Sequence, residues 1–172
     1  LGPGGILEAM NELKAAGLVE HVGLTGIGQP EALRTVINSG AFETIQVPYH
    51  ALNPSAGCNV DDSFTETDYG NVIADCAGHG MGVMAIRVFA AGALLGNAPS
   101  AHTLKTPFFP LALYERDARR AAALAEELGG FGELQRVAVR FALSHPQIAS
   151  AIIGFGEPQH IEAAVRALNA GP

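Results

Sequence analysis

Four times along this chain a short apolar run is followed, after a turn, by a segment with apolar residues at helical spacing. That alternation restricts the fold more than any single motif does. The runs occupy residues 19–24, 44–49, 82–86 and 149–154. They do not alternate polar with apolar residues, so the strands are buried and read as parallel, joined by crossover helices. Helices are predicted over residues 6–16, 31–38, 68–78, 114–128, 134–143 and 158–168, the first ending at Gly17 and the last beginning at Pro158. Pro48 is tolerated only at a strand's end, where it removes no ladder hydrogen bond. The small residues 90–93 are read as continuing the third strand. Two irregular segments, 53–67 and 96–110, break the pattern, and loops of that length in a compact domain are functional or mobile. The whole reads as an α/β chain with a parallel sheet, either doubly wound or part of a barrel.

The last unit, ASAIIGFGEPQHIEAAVRAL at 149–168, concentrates the ligand-binding signals. Gly154 and Gly156 let the backbone approach a ligand closely, and the following helix start offers unpaired amides to an anion. An ordinary strand-to-helix connection has the same appearance, so both readings stand at this level.

Composition narrows the function classes. With 172 residues the chain supports one sizeable core, and residues 1–172 are read as a single domain. Only 16% of residues are charged against 48% hydrophobic, which leaves little surface charge for a lone domain and points to a partner surface. The net charge of −7 and the absence of a basic stripe argue against nucleic acid. The longest apolar run, 81–96, contains Arg87 and is too short to span a bilayer. Cys58 and Cys76 read as free thiols of a reducing, cytoplasmic setting. His21, His50, His79, His102 and His145 form no ligand-spaced pair, so no metal site is expected. Asp61, Asp62, Glu66 and Asp68 read as a solvated acidic loop, and Met81, Met84 and Phe89 sit at core spacing. Beginning at Leu1, without a leader-like segment, the chain reads as a processed product or an excised piece.

Four stretches then carry a family resemblance: LKAAGLVEHVGLTGIG at 13–28, IQVPYHALNPS at 45–55, GMGVMAIRVFAAGALLG at 80–96 and HPQIASAIIGFGEPQHIEAAV at 145–165. In this order they resemble the aldo-keto reductases, specifically the C-terminal half of the (β/α)8 barrel, with strands five to eight present and one to four absent. The family's catalytic aspartate, tyrosine, lysine and histidine come from the first half. The resemblance therefore implies no catalytic residue here, and Tyr49, Lys105 and His79 do not replace them.

What the resemblance does imply is a nicotinamide cofactor site, for NADP or NAD. Thr25 and Gly26 stand where relatives have the serine and asparagine that hold the carboxamide, and Gln46 matches the glutamine that shares that role. Gln46 could equally bond a neighbouring backbone group. Ile86 replaces a stacking aromatic ring, and Arg87 either contacts the pyrophosphate or forms an ion pair at the rim. Phe89 and Gly92 fall in the stretch 88–94 that would line the pyrophosphate path. Gly154, Phe155, Gly156 and His160 would meet the adenosine phosphate. Ala163 and Ala164 replace polar adenine contacts, and Glu157 would repel a 2′-phosphate, so strict NADP preference is not implied. His50 would line the active-site mouth.

The function implied is part of an NAD(P)-dependent oxidoreductase that interconverts carbonyls and alcohols, inactive alone and paired with its missing half or a copy of itself. The alternatives are a non-catalytic nucleotide-binding or interaction protein and an unrelated doubly wound domain.

Overall fold

The computed structural model describes residues 1–105 and 111–169. Part of the predicted irregular segment, 106–110, lies outside them. The elements run α1 (Ile6–Ala15), β1 (Gly23–Thr25), α2 (Pro30–Ile37), β2 (Thr44–Pro48), α3 (Val72–Gly78), β3 (Gly82–Ile86), α4 (Leu111–Leu128), α5 (Phe131–Ser144), β4 (Ile148–Ala151) and α6 (Pro158–Asn169).

The strands form one sheet in the order β1-β2-β3-β4, every neighbouring pair parallel. A doubly wound sheet reverses its strand order at a switch point. Here the order has no reversal, which is the arrangement of a barrel arc.

Burial follows the same geometry. Ile45, Val47, Val83 and Ala85 are at most 1% exposed and pack with Leu33 and Ile37 of α2, Val72, Ile73 and Cys76 of α3, and Val139 and Ala142 of α5. These β2 and β3 residues share one face because strand side chains alternate. On the other face Thr44, Gln46, Met84 and Ile86 are half-buried, while Thr25 and Ser150 are exposed. The helices thus cover one face of the arc. The strands are buried on the helix side and open on the other.

Three local differences from the sequence reading have physical causes. The helix predicted from 68 begins at Val72, because Asn71 takes a left-handed conformation (φ 55°) while its N–H donates to the Ser55 carbonyl. Residues 90–93 do not extend β3. Ala90 and Ala91 adopt φ 48° and 58°, turning the chain into a 3₁₀ stretch (Ala90–Leu95) on which α4 packs through Tyr114, Ala121 and Ala125. The final strand ends at Ala151, so Gly154 lies beyond it in the turn.

A second anchoring cluster lies past β2. Tyr49 stacks on Phe141 with ring centroids 5.0 Å apart and meets His145 edge-on at 5.7 Å. Gly57 sits against the same pair: a Cβ there would approach Tyr49 Cε2 and His145 Cδ2 to 2.8 Å. Glu43 joins the N-terminal helix to the sheet, its carboxylate accepting from Val22 N at 2.8 Å and pairing with Lys14.

Two substitutions test this packing by urea unfolding. Ile45→Ala is expected to lose about 2–5 kcal/mol, with an unchanged denaturant slope. Gly57→Ala is expected to lose about 1–3 kcal/mol through overpacking, and an unaffected midpoint would contradict the close approach.

Candidate functional site

Strand register places Thr25, Gln46, Met84 and Ser150 in one row across the uncovered face. Gln46 is central. Its main-chain carbonyl accepts from Gly26 N at 2.7 Å, yet among the described residues its half-buried side-chain amide has no hydrogen-bond partner. The backbone-bonding alternative for this side chain is therefore not what the structure contains. Thr25 is its register partner on β1. Gly26 is buried, and a Cβ there would lie 2.8 Å from Ile45 Cδ1, so a side chain at this position would displace the core.

At the end of β3 the backbone is strained. Arg87, Ala90 and Ala91 all have positive φ, a region non-glycine residues rarely adopt and one that clusters at functional sites. Ile86 and Arg87 are half-buried there, Phe89 packs partly against both hydrophobic clusters, and Gly92 continues the left-handed path at φ 102°.

The Gly154–Gly156 turn is exposed and lies beyond the register row. Its polar groups engage one another: His160 Nδ1 accepts from Gly156 N at 3.3 Å, and the Glu157 carboxylate accepts from Gln159. Phe155 is 46% exposed. The predicted site residues thus form two groups, one on the sheet face and strand ends, the other on this separate turn.

A polar cluster lies beyond β2 and β3, of which the sequence reading named His50 and Arg87 but not the acidic residues or the α4 arginines. His50, 6% exposed, and Arg87 line a cavity of about 50 Å³ together with Tyr69, Glu66, Arg116 and Asp117. The side chain of Glu66 is only 8% exposed, so it is not part of a solvated acidic loop. It pairs with Arg116, and with Arg120 Nη1 at 2.6 Å, while Asp117 Oδ1 accepts from Arg116 Nη2 at 3.1 Å. These pairs pin the long loop to α4. The sequence signal was available: Asp117 occupies the buried stripe Tyr114, Asp117, Ala121 and Ala125, a charge on an otherwise core-facing surface.

His50 Nδ1 is buried with no hydrogen-bond partner among the described residues. Burial, reinforced by Arg87, Arg120 and Arg116, holds its pKa down at about 3. The imidazole is therefore neutral at ordinary pH.

With this geometry in hand, the sequence matches the Aldo/keto reductase family over residues 5–172. The chain belongs to that family. Solved structures similar to it include the aldo-keto reductase AKR11C1 from Bacillus halodurans. Its holo form has a TM-score of 0.66 at 20% identity, and its apo form 0.65 at 21%. The alignments cover 96% of this chain but 50% and 51% of those chains. This aldo-keto reductase chain thus spans about half the length of the structures it matches. No curated protein matches the sequence.

His50 gives the fold a pH signature. Its folded pKa of about 3 lies below the unfolded value near 6.5, so as pH falls through 6.5 the unfolded chain takes up the proton first. Its contribution to stability is complete above pH 6.5 and is lost progressively toward pH 3. The slope from this one group is at most about 1.4 kcal/mol per pH unit. Urea midpoints measured between pH 6.5 and 5.5, above the main carboxylate range, should fall for the natural chain and flatten in His50→Phe. Parallel profiles for the two would contradict the assignment.

Proposed function

We propose that this chain is the C-terminal, cofactor-holding half of an NAD(P)-dependent aldo-keto reductase, its four strands corresponding to strands five to eight of the (β/α)8 barrel. The observation that carries the reading is Gln46. A half-buried amide with no partner among the described residues, in one row with Thr25 on the open face, suits a planar carboxamide that both donates and accepts hydrogen bonds.

The residues suit one end of a nicotinamide dinucleotide better than the other. At the nicotinamide end, Gln46 and Thr25 orient the carboxamide, and Ile86 packs against the ring without stacking. Arg87, Phe89 and the small residues through Gly92 flank the pyrophosphate. At the adenosine end, Gly154, Phe155, Gly156 and His160 offer an open turn, but Glu157 opposes a 2′-phosphate and His160 already accepts from its own loop. This supports use of NADP or NAD without strict preference. When bound, the cofactor supplies a hydride to an aldehyde or ketone, or removes one from an alcohol. The chain's own residues orient it, and positioning accounts for much of the rate of such transfers.

Tyr49 is buried in the aromatic cluster with Phe141, on the helix-covered side of the sheet, so it is given no catalytic role in this reading. The general acid and its helpers belong to strands one to four. Of the fifteen exposed large hydrophobic side chains among the described residues, ten lie at the two ends of the arc, including Ile6 and Leu13 of α1 and Ile161, Val165 and Leu168 of α6. Those faces, with the free edges of β1 and β4, are where a complementary barrel half, or a copy of this chain, would dock. Two free cysteines suit a reducing, cytoplasmic setting.

Titration with NADPH and NADH, followed by cofactor fluorescence, tests the reading. Saturable binding of both is expected, with Gln46→Leu weakening it about tenfold, the loss of one to two hydrogen bonds. No aldehyde reduction is expected from the purified 172-residue chain. Turnover by it would overturn the assignment of the catalytic groups to the other half, and failure to bind either nucleotide would overturn the cofactor role.

A further inference from the structure

We propose that His50 is a specificity residue whose imidazole offers one N–H, on Nε2, to an uncharged acceptor oxygen of the carbonyl substrate. That the oxygen belongs to a substrate rests on the oxidoreductase reading above; the donor and its preference for an uncharged acceptor do not.

The tautomer follows from burial. His50 Nδ1 is the one buried side-chain polar atom among the described residues without a hydrogen-bond partner. A proton on that atom makes a buried N–H with no acceptor, a vacancy that native folds avoid. The ring is neutral, so its single proton belongs on Nε2. Among the described residues Nε2 has no hydrogen-bond partner either, yet it is not a buried orphan, so it lies on the small part of His50 that stays accessible. That part meets a cavity of about 50 Å³, whose wall includes Asn53, Thr67 and Tyr69. The volume admits a few waters or one small functional group.

The ionic groups of the wall select against a charged guest. Glu66 and Asp117 are both held by Arg116 and Arg120, and Arg87 is engaged as well. A carboxylate entering this space must break into those pairs or lie against Glu66 and Asp117, and an ammonium group faces the arginines. His50 adds no charge of its own. An uncharged oxygen needs no counter-ion: it exchanges one hydrogen bond with water for one with Nε2.

The cavity is also lined by Ile27, just beyond β1, and by Arg87, which directly follows Ile86. A guest there lies at the carboxyl ends of the strands, the side on which barrel enzymes bind their substrates. The site therefore favours aldehydes and ketones that carry a second, uncharged oxygen function over keto acids.

The test uses the 172-residue chain at neutral pH with the isosteric pair acetamide and acetate, reading the ring ¹⁵N resonances of His50 by NMR. Before any addition Nε2 should be protonated and Nδ1 not; the opposite tautomer would overturn the assignment. Acetamide should shift Nε2 saturably, and acetate should bind at least about tenfold more weakly. Equal or tighter binding of acetate, or no saturable shift with acetamide, would overturn the uncharged subsite. Two variants are read through the methyl signal of the probe. His50→Gln, which keeps an N–H donor, should bind acetamide within about threefold of the natural chain, and His50→Phe at least about tenfold more weakly. Unchanged binding in His50→Phe would overturn the donor role, and the tautomer and His50→Gln serve if that variant does not fold. Running the NADPH titration on the same samples separates the two readings. Acetamide binding without nucleotide binding keeps the donor site and removes its substrate role, and the reverse removes the donor site alone.

Discussion

Everything in this molecule depends on one constraint: four parallel strands laid side by side in chain order, with helices on one face only. Each crossover returns the chain to the next position, so the sheet curls and its two faces acquire different fates. Ile45, Val47, Val83 and Ala85 close against α2, α3 and α5 and exclude water almost completely. The alternate residues on the same strands cannot reach that core. Their row of Thr25, Gln46, Met84 and Ser150 is left on the face the helices do not cover, a placement that follows from register.

The same constraint explains the surface. An arc has two ends, and its terminal helices lack neighbours there. Helix α1 has no buried residue, and α6 exposes Ile161, Val165 and Leu168 along one stripe while burying Ala164 and Ala167. In a closed barrel such stripes lie between helices. The low charged fraction of the chain, 16%, accords with these exposed apolar stripes.

Much of this was legible in the residues. The strand at Gly82–Ile86 and the helix starts near Pro30 and Pro158 follow from apolar runs and proline placement. The family resemblance pointed to Gln46 and Thr25, and the register sets the two opposite one another on neighbouring strands. What escaped the sequence is what depends on long-range pairing. Glu66 lies in a loop crowded with acids and looks solvated until α4 brings Arg116 and Arg120 to it, across 50 and 54 residues of chain. The stretch 90–93 has the composition of a strand continuation, but left-handed turns at Ala90 and Ala91 fold it under α4, a tertiary preference that overrides local propensity. His50 and Arg87, 37 positions apart by their numbering, meet at one cavity only because β2 and β3 are neighbours in register.

The central claim is that the row around Gln46 holds a nicotinamide carboxamide. The most direct measurement is ¹H–¹⁵N NMR of the chain during addition of NADPH, following the Gln46 side-chain NH₂ and the amides of Thr25 and Ile86. The account predicts saturable shifts at these three positions, with smaller changes at the 154–156 turn. Shifts confined to the helical surface, or none at Gln46 at saturating nucleotide, would contradict it.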